Sequence, residues 1–141
     1  MEERRFMDFD DFARRMPLVE VLGMREVEPD ESGAIGLAME PREDLLQSES
    51  VIHGGILSTL ADTAAAWAVL RDQPMGETLT SIEFKLNFLR PARLDGGELL
   101  ARGRVVRRGS RIAVIDGEVI QGGESVARGL FTYLVLGGDE E

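Results

Sequence analysis

Apolar and polar positions alternate most cleanly in the second half of the chain. Ile82, Phe84, Leu86 and Phe88 are separated by Ser81, Glu83, Lys85 and Asn87. A period of two is that of a β-strand with one apolar face, so a strand is predicted over 81–88. Just before it the period changes. Leu57, Leu60, Ala64, Trp67 and Arg71 recur at three- and four-residue spacing, which predicts a long helix over 54–71 with one face toward a core. Gln73, Pro74, Met75 and Gly76 then break it.

The same reading extends in both directions. Residues 8–16 predict a short helix closed by Pro17, and 19–27 a strand. Pro29, Asp30, Glu31, Ser32 and Gly33 form a turn cluster. Ile35, Leu37 and Met39 alternate with Ala34, Gly36 and Ala38 as a second strand. Residues 41–50 are a polar connection with room for one helical turn. Beyond the strand at 81–88, further strands are predicted over 98–107, 111–121 and 125–136. The links at Arg108, Gly109 and Ser110 and at Gly122 and Gly123 are short enough for hairpins. One apolar helix against a largely antiparallel sheet is an α+β layer pair. A single domain over 1–141 is expected, with a helical extension over 1–17 and a flexible acidic tail over 137–141.

Composition narrows the function. The chain has 141 residues, 26 acidic against 16 basic, and a net charge of −10. Such a balance speaks against nucleic acid, whose phosphates need a basic face, and against an anionic membrane surface. Without cysteine there is no disulfide, thiolate metal site or cysteine nucleophile, and one histidine cannot build a histidine-rich metal site. The first residues open with acids and lack an apolar stretch, unlike a signal peptide. A cytoplasmic protein is expected.

The long helix carries the chemistry. The only histidine, His53, stands before Gly54 and Gly55 at its start. Unpaired N–H groups and the positive end of the helix dipole gather there. Glycine lets a ligand atom approach the backbone, so the corner suits a carbonyl oxygen gaining negative charge. The same glycines could merely turn the chain into the helix. Asp62 adds a second signal. Its helical neighbours Ser58, Thr59, Ala65, Ala66 and Val69 are mostly small, whereas Leu57, Leu60 and Trp67 point elsewhere. Aspartate is a poor residue for a helix interior. It could be an ordinary surface acid, yet 64–70 offers no polar face to water. Shelter from water strengthens a carboxylate as a base. Eight residues separate Gly54 from Asp62, or ~12 Å along a helix. If both serve one reaction, they must come from two chains. Two antiparallel helices packed on the small-residue stripe would meet this condition twice.

His53, Gly54 and Gly55 followed by Leu60, Ala61 and Asp62 resemble the signature of hotdog-fold acyl-CoA thioesterases of the phenylacetyl-CoA thioesterase type. The stretch Asn87, Phe88, Leu89, Arg90, Pro91 and Ala92 is similar to that family's strand after the helix. The resemblance spans about residues 35–136. It implies a hotdog fold, with the sheet wrapped around the helix, and homodimers that pair into homotetramers. It also implies an acyl-CoA substrate and neither metal nor cofactor. It implies that the Gly54 amide polarises the thioester carbonyl. Asp62 of the adjacent subunit would be the nucleophile or the base that activates water. Gln47 stands where the family often has asparagine, keeping the amide and adding a methylene. A family hydroxyl on the following strand falls at Thr80 or Ser81. His53 is placed beside these groups chiefly as a shaper of the turn, and Gly55 as part of the substrate corner. Tyr133 and Trp67 read as core.

Coenzyme A carries phosphates, and arginine suits them. Arg102 and Arg104 read as a solvated strand face. Arg107, Arg108 and Arg111 surround a turn and, with Arg90, are the candidates for phosphate binding. The alternative function is an acyl-CoA-binding hotdog protein without turnover, a sensor or carrier. Hydration of an enoyl thioester is disfavoured because no His-Phe-Pro-like stretch is present.

Overall fold

A computed structural model of the chain describes residues 5–137. The expected acidic tail lies outside the described residues from 138 onward, as do residues 1–4.

The 17 residues Gly54–Leu70 form the long helix, α3, one residue shorter than expected. It is covered on nearly every side. Leu57, Leu60, Ala64 and Trp67 are buried, and so are Ala61, Thr63, Ala65 and Val69. A helix that is apolar all round is a core element, and the sheet curls around this one. The sheet has six strands in the order β1(Arg25–Val27), β2(Ile35–Met39), β6(Leu99–Arg108), β7(Ile112–Gln121), β8(Glu124–Gly137) and β5(Glu77–Phe88). Every pairing in it is antiparallel. Helix α3 lies against β2, β6 and β7. This is the α+β hotdog arrangement that the resemblance implied. β3(Leu46–Ser48) and β4(Val51–Ile52) pair separately, inside and just after the expected polar connection, following one 3-10 turn at Glu43–Leu45.

The strand expected over 19–27 is corrected. Pro17 does not close the first helix, α1(Phe9–Arg15), but opens a second, α2(Pro17–Val21). Proline is well suited to a first helical position, where its missing N–H costs nothing. Leu22 donates its N–H to the Leu18 carbonyl at 3.0 Å. Gly23, at φ +68°, then turns the chain out. Only Arg25–Val27 remains as strand.

The N-terminal segment is firmly seated. The Asp11 carboxylate is buried and accepts from the Asp8 N–H at 3.0 Å, while Asp8 accepts from the Asp11 N–H at 2.9 Å. Arg5 and Arg14 both pair with Asp11. The Asp8 amide, joined by the two guanidinium groups, holds the Asp11 carboxyl below the usual carboxylate range against the opposing effect of burial. Phe9 and Phe12 pack on Trp67 with ring centroids 5.6 and 5.0 Å away. Trp67 is core as expected, and its indole N–H also reaches Glu26 at 3.1 Å.

β5 starts four residues earlier than expected, its pairing with β8 shifts between Ser81 and Glu83, and it is an edge strand. Phe84 stacks on buried Phe131 at 5.0 Å, yet Ile82, Phe84 and Phe88 are 51%, 43% and 53% exposed. Helix α3 covers them only in part, its first residue, Gly54, meeting the Phe88 ring.

Candidate active site

The start of α3 is built around His53. It is the N-cap, and its Nδ1 accepts the Gly55 N–H at 2.7 Å. A Cβ on Gly55 would fall 2.9 Å from that nitrogen, so the second glycine lets the imidazole close on the backbone. The His53 carbonyl takes the N–H groups of Ile56 and Leu57. Among the described residues, the Gly54 N–H has no hydrogen-bond acceptor. One donor of the first turn is therefore left over, at the positive end of the helix. A Cβ on Gly54 would lie 3.2 Å from the Phe88 ring, so any larger residue would press on it.

Gly54 lines a cavity of about 780 Å³ with Gln47, His53, Gly55, Phe88 and Arg90. Gln47 reaches it from β3. Arg90 stands at its side, donating to the Ser125 carbonyl at 2.7 Å and 3.7 Å from Glu124.

Asp62 lies two turns further along the helix and opens into a different cavity of about 850 Å³. The Tyr133 hydroxyl donates to Asp62 Oδ1 at 2.5 Å and lies 2.9 Å from the Asp62 carbonyl oxygen. Burial first, then the charge and hydrogen bond of Asp62, push the Tyr133 phenol above its usual range. It stays a donor throughout the physiological range. No cation pairs with Asp62, and Oδ2 accepts no hydrogen bond, among the described residues. One carboxylate oxygen is thus fixed and the other is open toward the cavity. Ser58, Thr59 and Thr63 spend their hydroxyl protons on helix carbonyls one turn back, at 2.7 to 3.0 Å. That leaves the stripe around Asp62 small and internally satisfied.

Ser81 is in register with Tyr133 and lines the Asp62 cavity, whereas Thr80 pairs with Leu134 and lines neither cavity. Arg107, Arg108 and Arg111 flank the β6–β7 turn and also line neither. Arg108 is held by Glu77 at 3.0 Å. The turn therefore sits at the Glu77 end of β5, which walls Asp62. The Phe88 end walls Gly54. One chain brings together Gln47, His53, Gly54, Gly55 and Arg90 in one cavity, and Asp62 and Ser81 in another.

Two contacts are not legible in the sequence. Phe88, on the apolar face of its strand, lies over Gly54. Tyr133 is buried as expected, but it also holds Asp62. A buried phenol needs a hydrogen-bond partner, and this was the available signal.

The family model of the thioesterase superfamily matches residues 49–127, which span both Gly54 and Asp62. The chain belongs to this superfamily. Thioester hydrolysis is accordingly its class of reaction. A Halobacterium salinarum protein named provisionally as an esterase is 35% identical over 108 residues, covering 73% of this chain and 69% of its own length. The E. coli PaaI protein from the phenylacetic acid degradation operon superposes with a TM-score of 0.79 at 26% identity, covering 92% of this chain and 91% of that one. A Bacillus halodurans protein whose crystal structure contains CoA gives 0.75 at 26% identity, covering 91% and 87%. In this thioesterase, no described helix is long and apolar enough to cross a membrane. No group of three or more described His, Asp or Glu residues could hold a metal ion.

Removing the Tyr133 hydroxyl should release Asp62 Oδ1. Tyr133→Phe is expected to fold, to lower kcat about tenfold and to leave KM within about twofold, because a lost positioning hydrogen bond acts on the reacting geometry. Steady-state kinetics on a hydrolysed thioester checks this. An unchanged kcat would make Tyr133 a core residue only.

Proposed function

We propose that this thioesterase is a cytoplasmic enzyme that hydrolyses an acyl-CoA, with aryl or short- to medium-chain acyl group, at a site shared between two subunits. The carrying observation is that the unpaired Gly54 N–H and the open Asp62 oxygen belong to separate cavities of one chain. In a twofold dimer along the exposed apolar edge of β5, Asp62 of one subunit meets Gly54 of the other. The exposed Ile82, Phe84 and Phe88 and the open backbone of an edge strand support a second copy as the covering partner. Two such dimers form the tetramer.

The Gly54 N–H receives the thioester carbonyl oxygen. Asp62 then acts by one of two routes. It removes a proton from water, and the oxygen attacks the carbonyl carbon. Or it attacks directly, forming an anhydride that water opens. In either case the carbon–sulfur bond breaks and the thiolate leaves; it takes up the proton that Asp62 removed from water in the first route, or one from solvent in the second, where water opening the anhydride frees the acid and restores the Asp62 carboxylate. Gly54 binds the oxyanion more strongly than the ground-state carbonyl, which is what accelerates the step. Gln47, from the same cavity, offers its amide to the carbonyl or the water. That the B. halodurans structure holds CoA supports a CoA thioester over other thioesters. Release of free thiol from a panel of acyl-CoAs tests the reading. A chain that binds acyl-CoA and releases no thiol would instead be a sensor or carrier.

The nucleotide is assigned to arginines on both sides of the shared site. Arg90 flanks the Gly54 cavity, and Arg107 and Arg111, with Arg108, stand at the Asp62 end that the partner's Gly54 would approach. Arg90→Ala and Arg107→Ala should each raise KM about tenfold for acyl-CoA. The N-acetylcysteamine thioester of the same acid should change less than about twofold, because binding remote from the carbonyl appears in KM. Equal effects on both substrates would remove these arginines from the nucleotide site.

A further inference from the structure

The Asp62 cavity has a wall from outside the span that the family model matches. Residues 49–127 match, but Met16, Leu18 and Val21 line the cavity from the N-terminal segment. Leu18 and Val21 are 46% and 61% exposed, a large outlay of apolar surface for one five-residue helix. They face a space of about 850 Å³, within the range of small-molecule pockets, and it already contains the candidate catalytic carboxylate.

The wall is fixed in place rather than loosely laid on. Its inner end is held by the Phe9, Phe12 and Trp67 cluster. Its outer end is clasped by Arg15, whose guanidinium donates to the Glu77 carbonyl at 2.9 Å and to the Met75 carbonyl. The backbone adds Met7 N–H to the Gln73 carbonyl at 2.8 Å. Arg15 is the only cation lining the cavity among the described residues, and both its bonds go to backbone. A charged tail on the acyl group finds no free partner there. Apart from Arg15, the polar groups, Asp62, Tyr133, Thr78, Ser81, Thr59 and Thr63, come from α3 and the strands.

We infer that the α1–α2 segment is the specificity wall of this enzyme: Met16, Leu18 and Val21 receive an uncharged, apolar acyl group larger than acetyl. This rests on the acyl-CoA reading above and adds the residues that select the acyl group. The carbonyl must lie against Asp62, so the rest of the acid extends into the cavity that Asp62 opens into. Each additional buried methylene is worth about fourfold in affinity until the space is filled.

The test compares acetyl-, hexanoyl-, octanoyl-, phenylacetyl- and succinyl-CoA on the full chain. The wild type is expected to favour octanoyl- or phenylacetyl-CoA over acetyl- and succinyl-CoA by at least about tenfold in kcat/KM. Leu18→Trp and Val21→Trp both act at exposed positions that can take a larger side chain. They should cut that preference by about tenfold or more. A preference that survives both variants, or a fall equal on all substrates, overturns the wall. Calorimetric binding of free octanoate reads the cavity without turnover. Wild type should bind octanoate at least about tenfold more tightly than acetate, and Leu18→Trp should abolish the difference. Octanoate binding without acyl-CoA hydrolysis would sink the acyl-CoA reading and keep the apolar cavity. Hydrolysis without octanoate binding would do the reverse. If the variants instead alter subunit association in sizing and leave selectivity unchanged, Leu18 and Val21 form an interface and the inference is wrong.

Discussion

Asp62→Asn is expected to leave the fold intact and lower kcat by ~10² or more, the scale of a lost general base or nucleophile. The two side chains have nearly the same shape. The asparagine carbonyl can still accept the Tyr133 proton, which in the native chain goes to Oδ1 at 2.5 Å. The cavity wall and the helix therefore survive. What disappears is the capacity of the second oxygen to take a proton or attack a carbonyl. Because binding is made elsewhere, KM should stay within a few-fold and the loss should appear in kcat. A melting curve and circular dichroism secure the fold, and single-turnover measurement secures the chemical step. Turnover within about threefold of wild type would remove Asp62 from the reaction.

The sequence carried some of this directly and some not at all. Helix α3 was legible almost to the residue because its period is local. β6, β7 and β8 were legible because tight turns separate them. Pro17 was ambiguous, since proline both stops a helix and starts one; only the Leu18 to Leu22 turn decides between them. The alternation in β5 revealed an apolar face but not what covers it, and coverage depends on where the strand lies in the sheet. At the site, the distance from Gly54 to Asp62 could be counted along one helix. The Tyr133 contact could not, because 71 residues separate it from Asp62. Ser81 and Thr80 could not be told apart from sequence. The choice turns on the irregularity between Ser81 and Glu83, which sets which side chains face Asp62.

The central claim is that one active site needs two chains, and complementation between two dead variants measures it directly. One parent is Asp62→Asn. The other is Gly54→Pro, which removes the unpaired N–H. Local geometry favours the proline. Gly54 is the first residue of α3, where proline is welcome, and His53 at φ −59° and ψ 135° has the extended backbone required before proline. The ring must push the Phe88 side chain aside by a few tenths of an ångström. Sizing checks first that the variant folds and assembles. In a mixed dimer one site combines both lesions, and the other combines native Gly54 with native Asp62 from different chains. Random exchange makes half of the dimers mixed, each with one working site of two, so activity should return to roughly a quarter of wild type. If each chain held a complete site, every chain would carry its own lesion. A mixture that exchanges subunits and remains inactive would contradict the account.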